Sequence, residues 1–394
     1  MKKTIKDFDL RGKRVLIRAD FNVPLDKDLK ITDDNRIQAT LPTIQYALDH
    51  GAKVILMSHL GRPDGKRVSS MSLSPVAKRL SELLHTEVIQ ASDCIGPTVQ
   101  KELSRFDDGC RVALLENLRF YGEEEKNDAL FAKALAENGD IYINDAFGSS
   151  HRAHASIEGI TKYLPSGAGF LLEKEIEYLG QAVQNPKKPF VAILGGSKVS
   201  DKIGVVENLI SKVDKILIGG AMAYTFLKVQ GVNIGNSRYE KEKLDLAKSI
   251  LEKAKQHQVE ILLPVDHVVV QKVDAAAQTR IEGPAIPDGW LGVDIGPKTV
   301  ELFSKVLDSA KTVVWNGPMG IFEMELFSKG SLGIAQKLAG LKNATTIIGG
   351  GDTAACVIGF GLDKKMSHIS TGGGASLEYL EGKTLPGIAA LQDK

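Results

Sequence analysis

Cysteine is scarce. The chain of 394 residues has three, Cys94, Cys110 and Cys356, far apart and odd in number. They make no CxxC pair and no zinc-ligand spacing, which excludes a disulfide framework and a structural zinc site. Idle thiols in a reducing compartment are the expectation. Long apolar runs are missing too. None approaches the ~18 residues of a membrane-spanning helix. The basic residues 1–7 are followed by no apolar stretch of the kind an export signal needs. A cytoplasmic location without a membrane partner is therefore expected. Neither sign of charge is in excess, with 50 Lys plus Arg against 49 Asp plus Glu. That balance supplies no global field for nucleic acid, so an anion site has to be a local cluster. The GxxxxGK[ST] phosphate loop and the HRD and DFG motifs of protein kinases are absent as well.

What is present is one pattern repeated. Short β-branched runs end in glycine or a polar cluster, and an amphipathic segment follows. The runs are residues 15–17, 54–57, 88–89, 112–115 and 141–143, then 190–194, 216–218, 261–263, 312–315, 345–348 and 368–370. Strands alternating with helices in this way imply βαβ units and parallel sheets. Ser74-Pro75 reads as a helix N-cap followed by proline at the first helical position. Val76, Ala77, Leu80, Leu83 and Leu84 then share one face, as do Val205, Val206, Leu209, Ile210 and Val213 later. Residues 169–179 read as a charged helix, and Asn185-Pro186-Lys187-Lys188-Pro189 cannot continue it. The expected fold is α/β, with a lobe on either side of that divide.

Ligands of doubly wound sheets sit beyond the carboxyl ends of the strands. In the first half those positions carry Arg18-Ala19-Asp20-Phe21-Asn22, Ser58-His59-Leu60-Gly61-Arg62, Glu116-Asn117-Leu118-Arg119, Asn144-Asp145 and His151-Arg152-Ala153-His154, with Arg36 in the first connection. Arginine's planar fork matches phosphate and carboxylate oxygens, so recurrent arginines on one rim suggest a socket for a small polyanion. In the second half the strand ends carry glycine: Gly195-Gly196-Ser197-Lys198, Gly219-Gly220, Asn316-Gly317-Pro318-Met319-Gly320, Gly349-Gly350-Gly351-Asp352-Thr353 and Thr371-Gly372-Gly373-Gly374. Glycine lets backbone N–H groups approach phosphate closely. Lys198 and Lys202, four apart, fit one helical face. Asp352 reads equally as a Mg²⁺ ligand or as the N-cap of a helix over 353–357.

Two other functions fit parts of this pattern. Gly349-x-Gly351-x-x-Ala354 matches a dinucleotide fingerprint, but the acid that should follow about 20 residues later is missing, which argues against a dehydrogenase. A two-lobed binding protein leaves Lys198, Lys202 and Asp352 without a purpose. Phosphoryl transfer between a nucleotide and a small anion accounts for both halves.

The chain resembles the phosphoglycerate kinase family nearly end to end. The resemblance is carried by Arg18-Ala19-Asp20-Phe21-Asn22-Val23-Pro24, Asp145-Ala146-Phe147-Gly148-Ser149-Ser150-His151-Arg152, Gly195-Gly196-Ser197-Lys198-Val199-Ser200-Asp201-Lys202, Trp315-Asn316-Gly317-Pro318-Met319-Gly320 and Gly349-Gly350-Gly351-Asp352-Thr353. Ala19, Ser149, Ser150, Ser197, Ala221 and Thr353 differ slightly from the small residues the family pattern suggests, and no charged position is replaced.

The resemblance implies two Rossmann-like lobes, each a parallel sheet flanked by helices, joined by a hinge helix. It implies a 3-phosphoglycerate lobe at 1–169, a hinge at 170–189, a nucleotide lobe at 190–375, and a segment 376–394 that returns to the first lobe. The implied substrate site is Asp20, Phe21, Asn22, Arg36, His59, Leu60, Gly61, Arg62, Arg119 and Arg152. The implied nucleotide site is Lys202, Gly292, Asn316, Glu323, Gly350, Gly351, Asp352 and Thr353, with Glu323 at the ribose and Asp352 holding Mg²⁺. Arg36, Lys198, Gly350 and Gly373 are the implied catalytic groups. ADP or ATP with Mg²⁺, and 3-phosphoglycerate or 1,3-bisphosphoglycerate, are the implied small-molecule partners of a monomer that bends at its hinge.

Overall fold

The computed structural model describes residues 1–394, the side chains of residues 107 and 108 excepted. The first-half runs form β1 (Arg14–Arg18), β2 (Lys53–Met57), β3 (Val88–Gln90), β4 (Val112–Leu114) and β5 (Ile141–Asn144). A sixth strand, β6 (Ser166–Ala168), has small residues without a β-branched signal and was not legible as a run. The sheet order is β3-β4-β2-β1-β5-β6, with every neighbouring pair parallel. Helices cover it, and β1, β2 and β4 bury nearly every position. After β1 the chain turns toward β2, and after β5 toward β6. The switch point therefore lies between Arg18 and Asn144, which are in register.

The second sheet comprises β7 (Phe190–Leu194), β8 (Lys215–Ile218), β9 (Glu260–Leu262), and, later in the chain, strands Thr312–Asn316, Thr345–Gly349 and His368–Ile369. Between them the chain inserts β10 (His267–Val270), β11 (Arg280–Glu282) and β12 (Leu291–Ile295), a separate antiparallel sheet in the order β11-β10-β12. The sequence pattern did not disclose this insertion. The three later strands are β13, β14 and β15, and the parallel sheet runs β15-β14-β13-β7-β8-β9. Its switch point lies between β7 and β13, where Leu194 and Asn316 are in register and the loops beginning at Gly195 and Gly317 start. These are two Rossmann-like lobes.

Chain packing defines two compact units, residues 1–177 with 384–394, and residues 178–383. The helix Phe170–Gln184 has residues in both. The C-terminal segment is tied into the first unit by Lys3 N–H to Gln392 O (2.8 Å), Lys394 N–H to Met1 O (2.9 Å) and Asn144 Nδ2 to Gly387 O (2.9 Å). Residues 376–383 stay in the second unit, where Asn208 Nδ2 donates to Leu380 O at 2.6 Å. The return thus begins at Thr384, eight residues later than the resemblance implies. The helix expected after Ser74 spans Ser74–Leu84, but Ser74 lies inside it. Its N-cap is Leu73, whose N–H donates to Glu116 Oε1, and Ser72 Oγ accepts the Ser74 N–H.

Candidate active site

In the first unit the end of β1 is built around a buried cation. Arg18 is 1% exposed. Its Nε donates to Ser156 Oγ (2.9 Å), one terminal nitrogen donates to Ala19 O, and the other lies 3.2 Å from His59 Nδ1. A guanidinium cannot accept, so Nδ1 accepts and the His59 proton resides on Nε2. Burial, then the charges of Arg18, Arg119 and Arg36, hold the His59 pKa well below its ordinary value. His59 is a neutral donor. Buried Glu124 balances Arg18 through Ser156, accepting from its Oγ (2.6 Å) and its N–H (2.9 Å).

Above this layer the strand-end loops are tied to one another. Phe21 N–H donates to Ser58 Oγ (2.8 Å), Gly61 N–H to Asn22 Oδ1 (2.9 Å), and Asn117 Nδ2 to Leu60 O (2.7 Å). Phe21 and Leu60 are buried anchors rather than exposed contacts. Arg36 pairs with Asp20 at 2.6 Å. Arg119 donates to Gly61 O at 3.0 Å, and its Nε lies 3.5 Å from Glu125. Arg62 and Arg152 are exposed. His154, 3.8 Å from Glu124, is pushed down to about 4 by burial and then by Arg18, Arg119 and Arg152. Burial lowers both histidines first, and the arginines around them add to it, so guanidinium groups cluster here, the electrostatic condition for binding a small polyanion. A wider depression of about 880 Å³ elsewhere in this unit, lined by residues 29–35 and 74–82, has its arginine engaged. Arg79 meets Asp34 and Glu82, each at 2.8 Å.

Asp145 lies outside the socket. Its Oδ1 accepts the N–H groups of Leu171 (2.9 Å) and Leu172 (3.2 Å), capping the helix Phe170–Gln184, and burial raises its pKa to about 7.

In the second unit the glycine loops divide into two kinds. Gly196 N–H donates to Pro318 O, Gly195 N–H to Asn316 O, Gly220 N–H to Met319 O and Gly317 N–H to Thr353 Oγ1. A Cβ on Gly195 would lie 2.2 Å from Pro318 O, and one on Gly317 2.2 Å from Gly195 O. These glycines lock three loops together, and their N–H groups are not free to hold phosphate. Gly350 differs. At φ +87° it is the N-cap of the helix Gly351–Gly359, whose first closing bond is Ala354 N–H to Gly350 O. The N–H groups of Gly351, Asp352 and Thr353 precede that bond and form an anion-seeking helix start. Gly373, at φ +51°, caps the helix Gly374–Leu380 in the same way.

Asp352 is therefore not the N-cap. It is exposed in the first turn. Among the described residues no cluster of three metal-ligating side chains exists. A single exposed carboxylate beside a phosphate-binding helix start suits Mg²⁺ that arrives on phosphate oxygens. Lys198 and Lys202 do not share a helical face, because the helix begins at Ile203 and Lys202 occupies its N-cap. Lys198 is exposed. Burial lowers the Lys202 pKa, opposed by Asp201, Asp352 and Glu381.

A cavity of about 450 Å³ runs from Asp352 and Gly196 past Pro318 and Glu323 to Tyr224, Leu291, Gly292 and Val293. Asn316 is 1% exposed, and neither polar atom of its amide has a hydrogen-bond partner. The amide lies beside Gly350, 3.0 Å from where a Cβ there would stand. Buried, unpartnered amide atoms call for a partner, and a ligand at the strand end would supply one.

The description phosphoglycerate kinase belongs to the family model that matches residues 5–383. The chain belongs to the phosphoglycerate kinase family. It is 58% identical to the cytosolic phosphoglycerate kinase of Triticum aestivum, over 99% of this chain and 98% of that one. It is also 58% identical to that of Thermosipho africanus, over 100% and 98%. The solved phosphoglycerate kinase of Coxiella burnetii aligns with a TM-score of 0.89 at 42% identity, covering 99% of this chain and 98% of that one. That of Pyrococcus horikoshii aligns with a TM-score of 0.84 at 33%, also covering 99% and 98%.

Of the residues the resemblance implies, the first unit gathers Asp20, Asn22, Arg36, Gly61 and Arg119 into one bonded group, with His59 held separately by Arg18. The second places Gly292, Glu323 and Asp352 on one cavity. Sequence reasoning missed the support beneath them, Ser156 and Glu124 under Arg18, which is joined only in three dimensions. It also missed the wall of the cavity, Tyr224, Arg238, Leu291 and Val293, which comes largely from the antiparallel insertion and its neighbours.

Proposed function

We propose that the chain transfers a phosphoryl group reversibly from 1,3-bisphosphoglycerate to MgADP, giving 3-phosphoglycerate and MgATP, a step of glycolysis and, reversed, of gluconeogenesis. Membership of the phosphoglycerate kinase family over residues 5–383 carries this reading. The first unit takes the phosphoglycerate through Arg36, Arg62, Arg119 and Arg152, with His59 Nε2–H as a neutral donor. The second takes the nucleotide, its phosphates at the helix start of Gly350, Gly351, Asp352 and Thr353, its ribose near Glu323 and its base against Leu291 and Val293. Mg²⁺ enters as part of the nucleotide substrate, with Asp352 as its protein ligand.

The chemistry asks for charge stabilisation rather than for a base. In the direction that consumes MgATP the nucleophile is the carboxylate of 3-phosphoglycerate, ionised at neutral pH. The moving phosphoryl spreads charge over three oxygens, which cations and backbone N–H groups stabilise. Lys198, Arg36 and the N–H groups near Gly350 and Gly373 are suited to this. With one substrate on each unit, transfer requires the units to close, and closure keeps water from the acyl phosphate. The hinge we assign lies at residues 170–189 and 372–374. An unchanged radius of gyration with both ligands bound would count against it. The protein acts as a monomer in the cytoplasm on this reading.

Purified protein with MgATP and 3-phosphoglycerate, coupled to glyceraldehyde-3-phosphate dehydrogenase, should consume NADH only when all components are present. No consumption with an active coupling enzyme would overturn the assignment.

A further inference from the structure

We propose that Arg238 reads the edge of the nucleobase and enables the chain to accept guanine nucleotides. The inference rests on the nucleotide reading of the 450 Å³ cavity. Arg238 is the one cation among the residues lining that cavity. Its side chain is exposed and has no ion pair or hydrogen bond among the described residues. Arg280, by contrast, is engaged, stacked 3.8 Å over Trp290 and 2.6 Å from Glu282.

The backbone places Arg238 at the base end. The preceding residue, Ser237, is buried, and its Oγ accepts the Gly292 N–H at 2.9 Å. Asn236 N–H donates to Trp290 O at 2.7 Å. These bonds fasten the loop to β12, the strand that supplies the apolar wall of Leu291 and Val293, away from the helix start that carries Asp352. Asp294, the acid nearest in sequence on that strand, is buried and turned to the backbone, its oxygens accepting the N–H groups of Ile295 (2.9 Å) and Gly330 (2.6 Å).

A guanidinium has five donors in a fixed fork and no acceptor. Guanine presents two adjacent acceptors, O6 and N7. Adenine presents N7 beside an amino group that can only donate. The fork is matched twice by guanine and once by adenine, and against adenine it leaves an amine facing a cation. A contact with ribose or phosphate, or stacking on the ring face, would not separate the two bases.

Calorimetric affinities for MgADP and MgGDP, with coupled-assay KM values for MgATP and MgGTP, test this on the wild type, Arg238→Met and Arg238→Lys. The wild type should bind both nucleotides. Arg238→Met should cost MgGDP roughly tenfold more affinity than it costs MgADP, the discrimination typical of one bidentate arginine–guanine pair. Arg238→Lys, which keeps the charge and loses the fork, should recover only part of the difference. Equal losses for both nucleotides, no loss for either, or a wild type that binds MgADP alone would overturn the inference and leave the parent reading standing. A wild type that binds neither nucleotide would remove the parent reading, and this inference with it.

Discussion

Asn316 should hold function at the expense of stability, and Asn316→Leu separates the two. Two buried atoms of its amide lack partners, and each such atom costs ~1–3 kcal/mol in the folded state. Leucine has the same branched heavy-atom skeleton and no polar atom, while its bulkier methyl groups cost about 1–3 kcal/mol of repacking. Midway through those ranges, about 4 kcal/mol relieved against about 2 lost to repacking leaves roughly 2 kcal/mol of added stability in the unit of residues 178–383. For a domain of that size each kcal/mol moves Tm by ~2–4 °C, so calorimetry of the ligand-free protein should show a rise of ~4–8 °C. The coupled assay should show the opposite, a fall in kcat/KM for MgADP of roughly tenfold or more, from the loss of two hydrogen bonds to the nucleotide. A Tm that falls by several degrees with kinetics intact would refute the reasoning, because the amide would then be a structural group with partners the geometry does not reveal.

Lys198→Ala should lower kcat far more than it raises KM, since on the proposed reading this exposed cation meets the moving phosphoryl and stabilises the transition state selectively. Near-wild-type turnover would remove it from the mechanism. Arg152→Ala should mainly raise KM for 3-phosphoglycerate and leave Tm within a degree or two, because the side chain is exposed. An unchanged KM contradicts its place in the socket. For Asp145 the sign of the pH dependence is fixed by its raised pKa, about 7 against the ordinary 3.8. Between those values the folded chain keeps a proton that the unfolded chain has lost, so stability declines as pH rises. Asp145→Asn retains an Oδ1 acceptor for Leu171 and Leu172. It should gain on the wild type across that window by on the order of 2 kcal/mol at pH 8, the favourable field of the helix start offsetting part of the burial cost. Parallel urea-stability profiles for the two proteins would show that the carboxyl titrates normally.

What the sequence discloses follows from how each feature is encoded. The parallel strands were legible because both of their faces are buried, which writes an unbroken apolar run such as Phe190–Leu194. β6 was not, since Ser166, Gly167 and Ala168 are small for close packing, and a Cβ on Gly167 would lie 2.7 Å from the ring of Phe8. In the antiparallel insertion β10 is buried throughout and carries the run Val268-Val269-Val270, which the reading of the sequence passed over, whereas β11 is short and largely exposed and leaves no run to find. The same logic divides the site. Glycines at strand ends are visible in sequence, but their purpose is not. Gly195, Gly220 and Gly317 serve backbone-to-backbone packing, whereas Gly350 opens a helix, and since Gly220, Gly317 and Gly350 all have positive φ, only the hydrogen-bond partners and close contacts tell these apart. Arginines are equally visible and equally ambiguous. Arg18 ends strand β1 and Arg36 opens the helix Asn35–Asp49, yet Arg18 is spent on Ser156, Ala19 and His59, while Arg36 is half-exposed and paired with Asp20. Burial, with Arg18 first among the surrounding charges, keeps the His59 pKa well below its ordinary value. An alanine scan of the rim alone would thus leave the contribution of Arg18 untouched.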